Sequence, residues 1–242
     1  MGYGSFETGF IMWYNFNMSE KDFVDRLEIF FQQMGYITKR ELDVGYGVAD
    51  LVLFKLNPEK CLIRYKNKQF KRLDSEQYFR IFELLPDENS GRSISFERII
   101  ENVNVSKTYL KYKILKRLEE DGFIKKMNND FYVKINGWMP LAEEIIAIEA
   151  KLKDWRRGVI QANRYKSFAH KSYLAMPPEK GHIIDRQQLK KYNIGLMLFN
   201  AEETSMQSMN RVKKQCPTNI YKYNFATEFI LQKQILKNQF AN

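Results

Sequence analysis

The chain has 242 residues, 44% of them hydrophobic and 28% charged, a globular composition that excludes disordered, collagen-like and coiled-coil chains. Lys and Arg number 39 against 29 Asp and Glu, and the formal net charge of +10 favours polyanionic partners, nucleic acid first. Two cysteines, Cys61 and Cys216, exclude a disulfide scaffold and a four-cysteine zinc site and fit a reducing cytoplasm. No apolar run is long enough for a membrane span, and the opening MGYGSFETGFIMWYNFNMSEKDF lacks the basic and small-residue marks of a secretory leader.

In chain order, MSEKDFVDRLEIFFQQMGY predicts a first helix. Ser19 caps it with Asp22 as capping-box partner, Phe23, Leu27, Phe30, Phe31 and Met34 recur at helical spacing, and Gly35 ends it. ITKRELDVGYGVADLVLFKL predicts a hairpin ending in a buried strand, Val48 to Leu56. From about residue 74 to 135 the texture changes. EQYFRIFELLPD is an amphipathic helix stopped by Pro86, SISFERIIENVN a second capped by Ser95, and VSKTYLKYKILKRLEEDG a third between Ser106 and Gly122. FIKKMNNDFYVKI forms two short strands around Asn128-Asn129-Asp130. Three helices followed by a hairpin match a winged helix-turn-helix. Past Trp138 and Pro140 the chain returns to α/β texture: strand EEIIAIEAKL, helix WRRGVIQANRYKSFAHK, strand SYLAMP, helix DRQQLKKYN and strand IGLMLFN. A tail over 222–240 reads as a helix packing through Phe225, Phe229, Ile230, Ile235 and Phe240. His170 is expected at a helix end or on the surface.

Three charges stand in apolar strands: Asp50 in the first, Glu149 and Lys151 in the second. Burying such groups costs several kcal/mol unless they are paired or metal-bound. Strand residues i and i+2 share a face, so Glu149 and Lys151 project together. If the Asp50 strand lies beside theirs, two carboxylates and an ammonium converge. That donor set suits a hard divalent cation such as Mg²⁺ or Mn²⁺, with substrate phosphate completing the shell. The lysine would position or deprotonate a water attacking phosphorus, or neutralise developing charge.

VADLVLF around Asp50, IAIEAKL around Glu149 and Lys151, and the order helix, hairpin, strand, strand, helix, strand together resemble the PD-(D/E)xK nuclease superfamily, the fold of restriction endonucleases and many repair exonucleases. Gln161-Ala-Asn-Arg-Tyr165, one helix after Glu-x-Lys, looks like the QxxxY motif of the RecB-type and lambda-exonuclease-like branch. Ala49 stands where that family usually has proline, and Asp50 and Glu149 lie 99 positions apart, a gap the three-helix module fills. The resemblance implies an α/β, restriction-endonuclease-like mixed sheet core flanked by helices, formed by residues 1–60 and 139–242, with a winged helix-turn-helix inserted over 61–138. It implies metal ligands Asp50 and Glu149 and catalytic roles for Asp50, Glu149, Lys151 and Gln161. Tyr165 is set to stack or bond near the scissile strand, or simply to pack on the sheet. Some members carry a further glutamate on the first helix, for which Glu20 and Glu28 are candidates, and Glu41 could approach from the hairpin.

In the third helix of the insert, residues 106–118 carry five bases and no acid. A basic and polar face of this kind suits a recognition helix in a major groove, through Lys107, Thr108, Lys111, Tyr112 and Lys113. Lys125 and Lys126 in the hairpin would meet phosphate as wings do. Between Lys151 and Lys171 there are seven bases and one acid, and Arg156, Arg157 and Arg164 among them would hold a phosphate backbone beside the site. Three readings follow. The first is a cytoplasmic, Mg²⁺-dependent DNA endonuclease or deoxyribonuclease acting on duplex DNA, with no membrane attachment and a homodimer as one assembly open to it. The second is a DNA-binding transcriptional regulator whose core has lost cleavage. The third is a nuclease recruited by a protein partner that the winged helix contacts.

Overall fold

A computed structural model describes residues 18–45, 47–135 and 138–238. The chain is α/β, with a mixed six-stranded sheet flanked by helices. The first element is α1 (Glu20–Gln33), where Ser19 and Asp22 form the expected capping box and Phe23, Val24, Leu27 and Phe31 face inward. β1 (Ile37–Asp43) and β2 (Val48–Leu56) then pair antiparallel. After residue 56 the chain leaves the sheet and returns at β6 (Ala142–Ala150), which pairs antiparallel with β2. α7 (Trp155–Arg164) crosses to β7 (Lys171–Met176), and α8 (Arg186–Lys191) crosses to β8 (Gly195–Asn200). β6, β7 and β8 are mutually parallel. β9 (Ser205–Met209) closes the sheet antiparallel to β8, giving the order β1-β2-β6-β7-β8-β9. The last element is α9 (Ile220–Asn238).

The buried strands explain the layers. Leu51, Leu53, Ile148, Tyr173, Met197 and Phe199 face α1, and Phe23, Leu27 and Phe31 cover them. The alternate residues face the other way. Val52, Phe54 and Ala147 meet Phe168, Tyr223 and Ile230, while Leu174 and Leu196 meet Trp155, Val159 and Leu189 of α7 and α8. Of the expected tail contacts, Phe225, Phe229 and Ile230 pack as anticipated. The Ile235 side chain and Phe240 lie outside the described residues.

Residues 57–141 form a second body on the β2–β6 connection. It runs through α2 (Pro58–Lys66), α3 (Glu76–Leu84), a 3₁₀ turn (Glu88–Ser90), β3 (Ile94–Ser95), α4 (Phe96–Glu101) and α5 (Lys107–Tyr109). A π-helical turn (Leu110–Leu115) and α6 (Lys116–Glu120) continue α5 as one rod, and β4 (Ile124–Met127) and β5 (Phe131–Lys134) follow. Its small antiparallel sheet has the order β3-β5-β4. Phe79, Phe82, Ile99, Leu110, Ile114, Leu115, Leu118 and Phe123 give this body its own apolar core. The expected turn between β4 and β5 is present, with Asn129 and Asp130 at φ 60° and 56°. Neither α2 nor β9 is among the sequence-based expectations, and the expected boundary at residue 61 falls inside α2.

His170 departs from expectation. It is half-buried at the entry to β7, and its Nδ1 accepts a hydrogen bond from the Ile145 N–H at 3.0 Å while its backbone N–H donates to the Ile145 carbonyl at 2.9 Å. Its ring meets Tyr223 edge to face at 5.2 Å. The side chain thus extends the β6–β7 ladder by one bond instead of facing solvent. Among the described residues no helix is long and apolar enough to cross a membrane.

Candidate functional site: a carboxylate–lysine cluster on paired strands

β2 and β6 are neighbours, as the clustering of charge requires. Leu51 pairs with Ile148, so one step outward brings Asp50 opposite Glu149 on the face that carries Val52 and Ala147. Lys151 follows Glu149 at i+2 and returns to it. Lys151 Nζ stands 2.6 Å from Glu149 Oε1, 3.9 Å from Asp50 Oδ2 and 3.7 Å from Glu20 Oε2. Asp50 Oδ2 also accepts a hydrogen bond from the Ala150 N–H at 2.8 Å, which fixes the carboxylate against the neighbouring strand.

Glu149 is fully buried, while the Asp50 side chain keeps 32% of its surface. Burial pushes both carboxyls above the usual range. Glu149 rises further through the charge of Asp50, and Asp50 through Glu20 and Glu41, against the opposing pull of Lys151. For Lys151 burial works downward, but Glu149, Asp50 and Glu20 together outweigh it and hold the ammonium above the ordinary lysine value.

α7 lies close behind these strands because of Gly158. A Cβ built there would stand 2.6 Å from Leu174 Cδ1 and 3.0 Å from Lys151 Cγ, so a larger residue forces those side chains or the helix to move. Sequence reasoning missed Gly158, although a glycine inside an amphipathic helical pattern is a recognised sign of close packing. From α7, Gln161 leaves its buried Oε1 without a hydrogen-bond partner among the described residues. Four residues on, the buried Tyr165 hydroxyl lies against Glu149 Oε2 and 2.7 Å from the Val48 carbonyl. Burial and the adjacent Glu149 charge push this phenol far above its usual range, so it keeps its proton and acts as a hydrogen-bond donor to the carboxylate. It does more than pack on the sheet: it ties α7 to both strands of the cluster.

The further glutamates separate clearly. Glu20, at the start of α1, reaches over the strand ends to Lys151, and its Oε1 accepts from the Leu152 N–H at 3.3 Å. Glu41 lies between the pairs Arg40–Leu51 and Leu42–Ala49, beside Asp50, on a left-handed residue with φ 49°. Glu28 is not part of the cluster. Eight residues along α1, about 12 Å further on, it accepts from the Thr38 hydroxyl and pairs with Arg40.

The basic residues of the insert divide in two. Lys107, Thr108, Tyr112 and Lys113 are exposed, as a contact face requires. Lys111 and Lys126 are held by Asp130, at 3.3 and 2.5 Å, and Lys125 by Glu88 at 3.2 Å. All three remain partly exposed in these surface pairs, which are weak and exchangeable. On α7, Arg157 and Arg164 are exposed, and the exposed Arg156 lies over the Trp155 ring at 5.0 Å.

Hard divalent cations take oxygen ligands and keep several waters, so two carboxylates suffice. Asp50, Glu149 and Glu20 lie around the Lys151 ammonium, and carboxylate oxygens are the donor type such a cation takes. Among the described residues no group of three or more His, Cys, Asp or Glu is placed to hold a metal ion. Comparison with known proteins adds no relative: no family model matches the chain, and neither a curated protein nor a solved structure does.

Proposed function

We propose that the chain is a metal-dependent deoxyribonuclease of the PD-(D/E)xK type, hydrolysing phosphodiester bonds and targeted by an inserted winged helix. One observation carries the reading: Asp50, Glu149 and Lys151, distant in sequence, meet at one end of paired strands with Tyr165 and the unpartnered Gln161 oxygen behind them. Partly buried charge of this density costs stability, and such clusters gather at functional sites. Asp50 and Glu149 are the residues that would hold Mg²⁺ or Mn²⁺, and such a cation supplies Lewis acidity toward a phosphoryl oxygen. Lys151 donates toward phosphate oxygens as negative charge builds on them. Tyr165 holds Glu149 in place, and the Gln161 Oε1 can accept a hydrogen bond from a bound water.

The insert supports duplex recognition by its element order. A helix, a short strand, two helices and a hairpin with sheet order β3-β5-β4 have the arrangement of a winged helix, and Lys107, Thr108, Tyr112 and Lys113 lie on its third helix. A second reading, recruitment by a protein partner, draws support from the mixed charge of the wing, where Asp130 and Glu88 pair with the lysines. The test is incubation with linear, circular and single-stranded DNA and with RNA, in Mg²⁺, Mn²⁺ or EDTA. Metal-dependent cleavage that falls by ~10²–10⁴-fold in Lys151→Ala, with binding retained, supports the proposal. Tight duplex binding with no cleavage in any metal turns the assignment to a DNA-binding regulator.

A further inference from the structure

The positive charge of the chain is not spread evenly. Residues 153–191 hold ten Lys and Arg against three Asp and Glu, whereas the longer insert, 57–141, holds seventeen against twelve. Two of the three acids, Asp154 and Asp185, cap α7 and α8, where their carboxylates accept backbone N–H groups; the third, Glu179, lies on the β7–α8 connection. Of the ten bases, Lys171 is held by Glu144 and Lys166 by the Tyr192 carbonyl. Arg156, Arg157 and Arg164 of α7 and Arg186, Lys190 and Lys191 of α8 are exposed, and none of the six has an ion-pair partner among the described residues. In the insert, by contrast, Lys111, Lys116, Arg117, Lys125 and Lys126 each stand beside an acid. α7 and α8 lie on one face of the sheet, joined through Trp155, Val159 and Leu189. Each runs from the carboxyl end of one parallel strand back to the start of the next. Their first turns, with Arg156, Arg157 and Arg186, therefore sit toward the edge of the sheet where Glu149 and Lys151 stand. Their last turns, with Arg164, Lys190 and Lys191, lie toward the opposite edge, about 15 Å away along α7.

We propose that the outer face of α7 and α8 is the main phosphate-backbone surface of the protein, a basic track that carries one flank of a DNA duplex away from the carboxylate–lysine cluster. The choice of DNA rests on the nuclease reading of that cluster. Four of the six bases are arginines, whose planar guanidinium matches phosphate with two parallel hydrogen bonds. A duplex carries one negative charge per about 1.7 Å of its axis, so the length of α7 faces about four base pairs and more phosphates than the six bases can neutralise. Among the described residues Ile160 is the one large apolar side chain exposed on the two helices, so the face offers little to a lipid interior or to an apolar protein surface. The division of labour follows from this placement. The core supplies most of the affinity and its salt dependence, and the insert is left to choose among sites.

The test uses the full chain in EDTA with a fluorescein-labelled duplex of mixed sequence, and reads affinity by anisotropy across a series of salt concentrations. Arg157→Ala, Arg164→Ala and Arg186→Ala combined should lower the log–log salt slope by about 0.9 for each arginine and weaken binding about ten-fold or more near 0.1 M salt. The pair Lys107→Ala and Lys113→Ala in the insert should lower the slope by about 1.8 at most. Replacing the same three arginines by lysine should keep the slope of the unaltered protein. An unchanged slope in the alanine variant, or a fall no larger than that of the insert pair, overturns the proposal. So does a lysine variant that loses as much as the alanine one, which would trace the effect to the fold. Vesicles containing phosphatidylserine form the last arm: binding to them that falls in the alanine variant while duplex binding stands assigns the face to an anionic lipid surface and overturns the proposal. A parallel Mn²⁺ cleavage assay separates the two claims. Cleavage with an unaltered slope removes the track and keeps the nuclease; a slope set by the three arginines without cleavage of any substrate keeps the track and removes the nuclease.

Discussion

Removing the Glu228 carboxylate should be among the most damaging single changes outside the candidate site. Arg64 of α2 and Glu228 of α9 are both buried and form an ion pair across 164 residues of chain. Glu228 carries more than the pair. Its Oε1 accepts from Trp138 Nε1 at 2.9 Å and its Oε2 from the Leu73 N–H at 2.9 Å. The guanidinium in turn donates to the Gln69 carbonyl at 3.3 Å and lies 5.6 Å from the Phe123 ring centre. Glu228→Leu leaves a buried arginine uncompensated and two donors without an acceptor. Breaking a buried pair from one side costs about 3–5 kcal/mol, and the orphaned donors place the expected loss toward the upper end, about 4 kcal/mol. For a chain of this size that lowers the melting midpoint by about 10 °C. Arg64→Met should cost less, about 2 kcal/mol, because the stranded carboxylate keeps its two N–H donors. The double variant Arg64→Met/Glu228→Leu should be more stable than the sum of the single losses by about 2 kcal/mol or more. Urea unfolding of the four proteins measures the cycle. Strict additivity would refute the argument that the two charges hold the insert to α9 as a unit.

The remaining predictions concern the sheet, the site and the insert. Burial lowers the His170 pKa to about 4 from 6.5, with Lys214 and Lys171 adding to the effect and Glu144 opposing it. The unfolded chain binds the proton first, so stability is complete above pH 6.5 and falls by up to about 3 kcal/mol as the pH drops toward 4; His170→Gln should remove that part of the acid loss in urea titrations at stepped pH. Gly158→Val should lift α7 from β7 and cost about 2 kcal/mol or more by overpacking; DNA cleavage should fall with it, and an unchanged melting point would contradict the contacts described. Tyr165→Phe should reduce cleavage while leaving DNA affinity intact, because it loosens Glu149 without altering the basic surface; equal turnover would remove its positioning role. Lys107→Glu with Lys113→Glu should weaken duplex binding and lower the salt slope by about 0.9 for each phosphate that is no longer neutralised; an unchanged slope in filter-binding measurements would favour the protein-partner reading.

What the sequence made legible followed from local rules. Ser19 and Asp22 announced the start of α1, and the apolar run from Val48 announced β2, because capping and burial act over a few residues. Glu149 and Lys151 could be placed on one face from strand period alone. Other features depend on distant partners. β9 reads SMQSM, with no β-branched residue and no apolar alternation, and it exists because β8 offers it a ladder. α2 was hidden because Leu62, Ile63 and Tyr65 are its exposed residues, while a cysteine and an arginine are its buried ones. Choosing Glu20 over Glu28 required the position of Arg40, which no helical spacing supplies.

The placement of the insert also bears on how the large sheet closes. β2 and β6 form the middle of the large sheet, yet Leu51 must find Ile148 across 97 residues. Closing a flexible loop of that length is entropically costly, and ladders between distant strands form slowly. Between the two strands lies a body with its own apolar core. Once it collapses, its two ends are already near one another, as Leu56 beside Ala142 shows. The long loop then behaves as a short one, and the sheet can zip from that end toward Asp50 and Glu149. The insert thereby shortens the effective loop between the two strands it separates, and the charged cluster stands at the far end of their ladder.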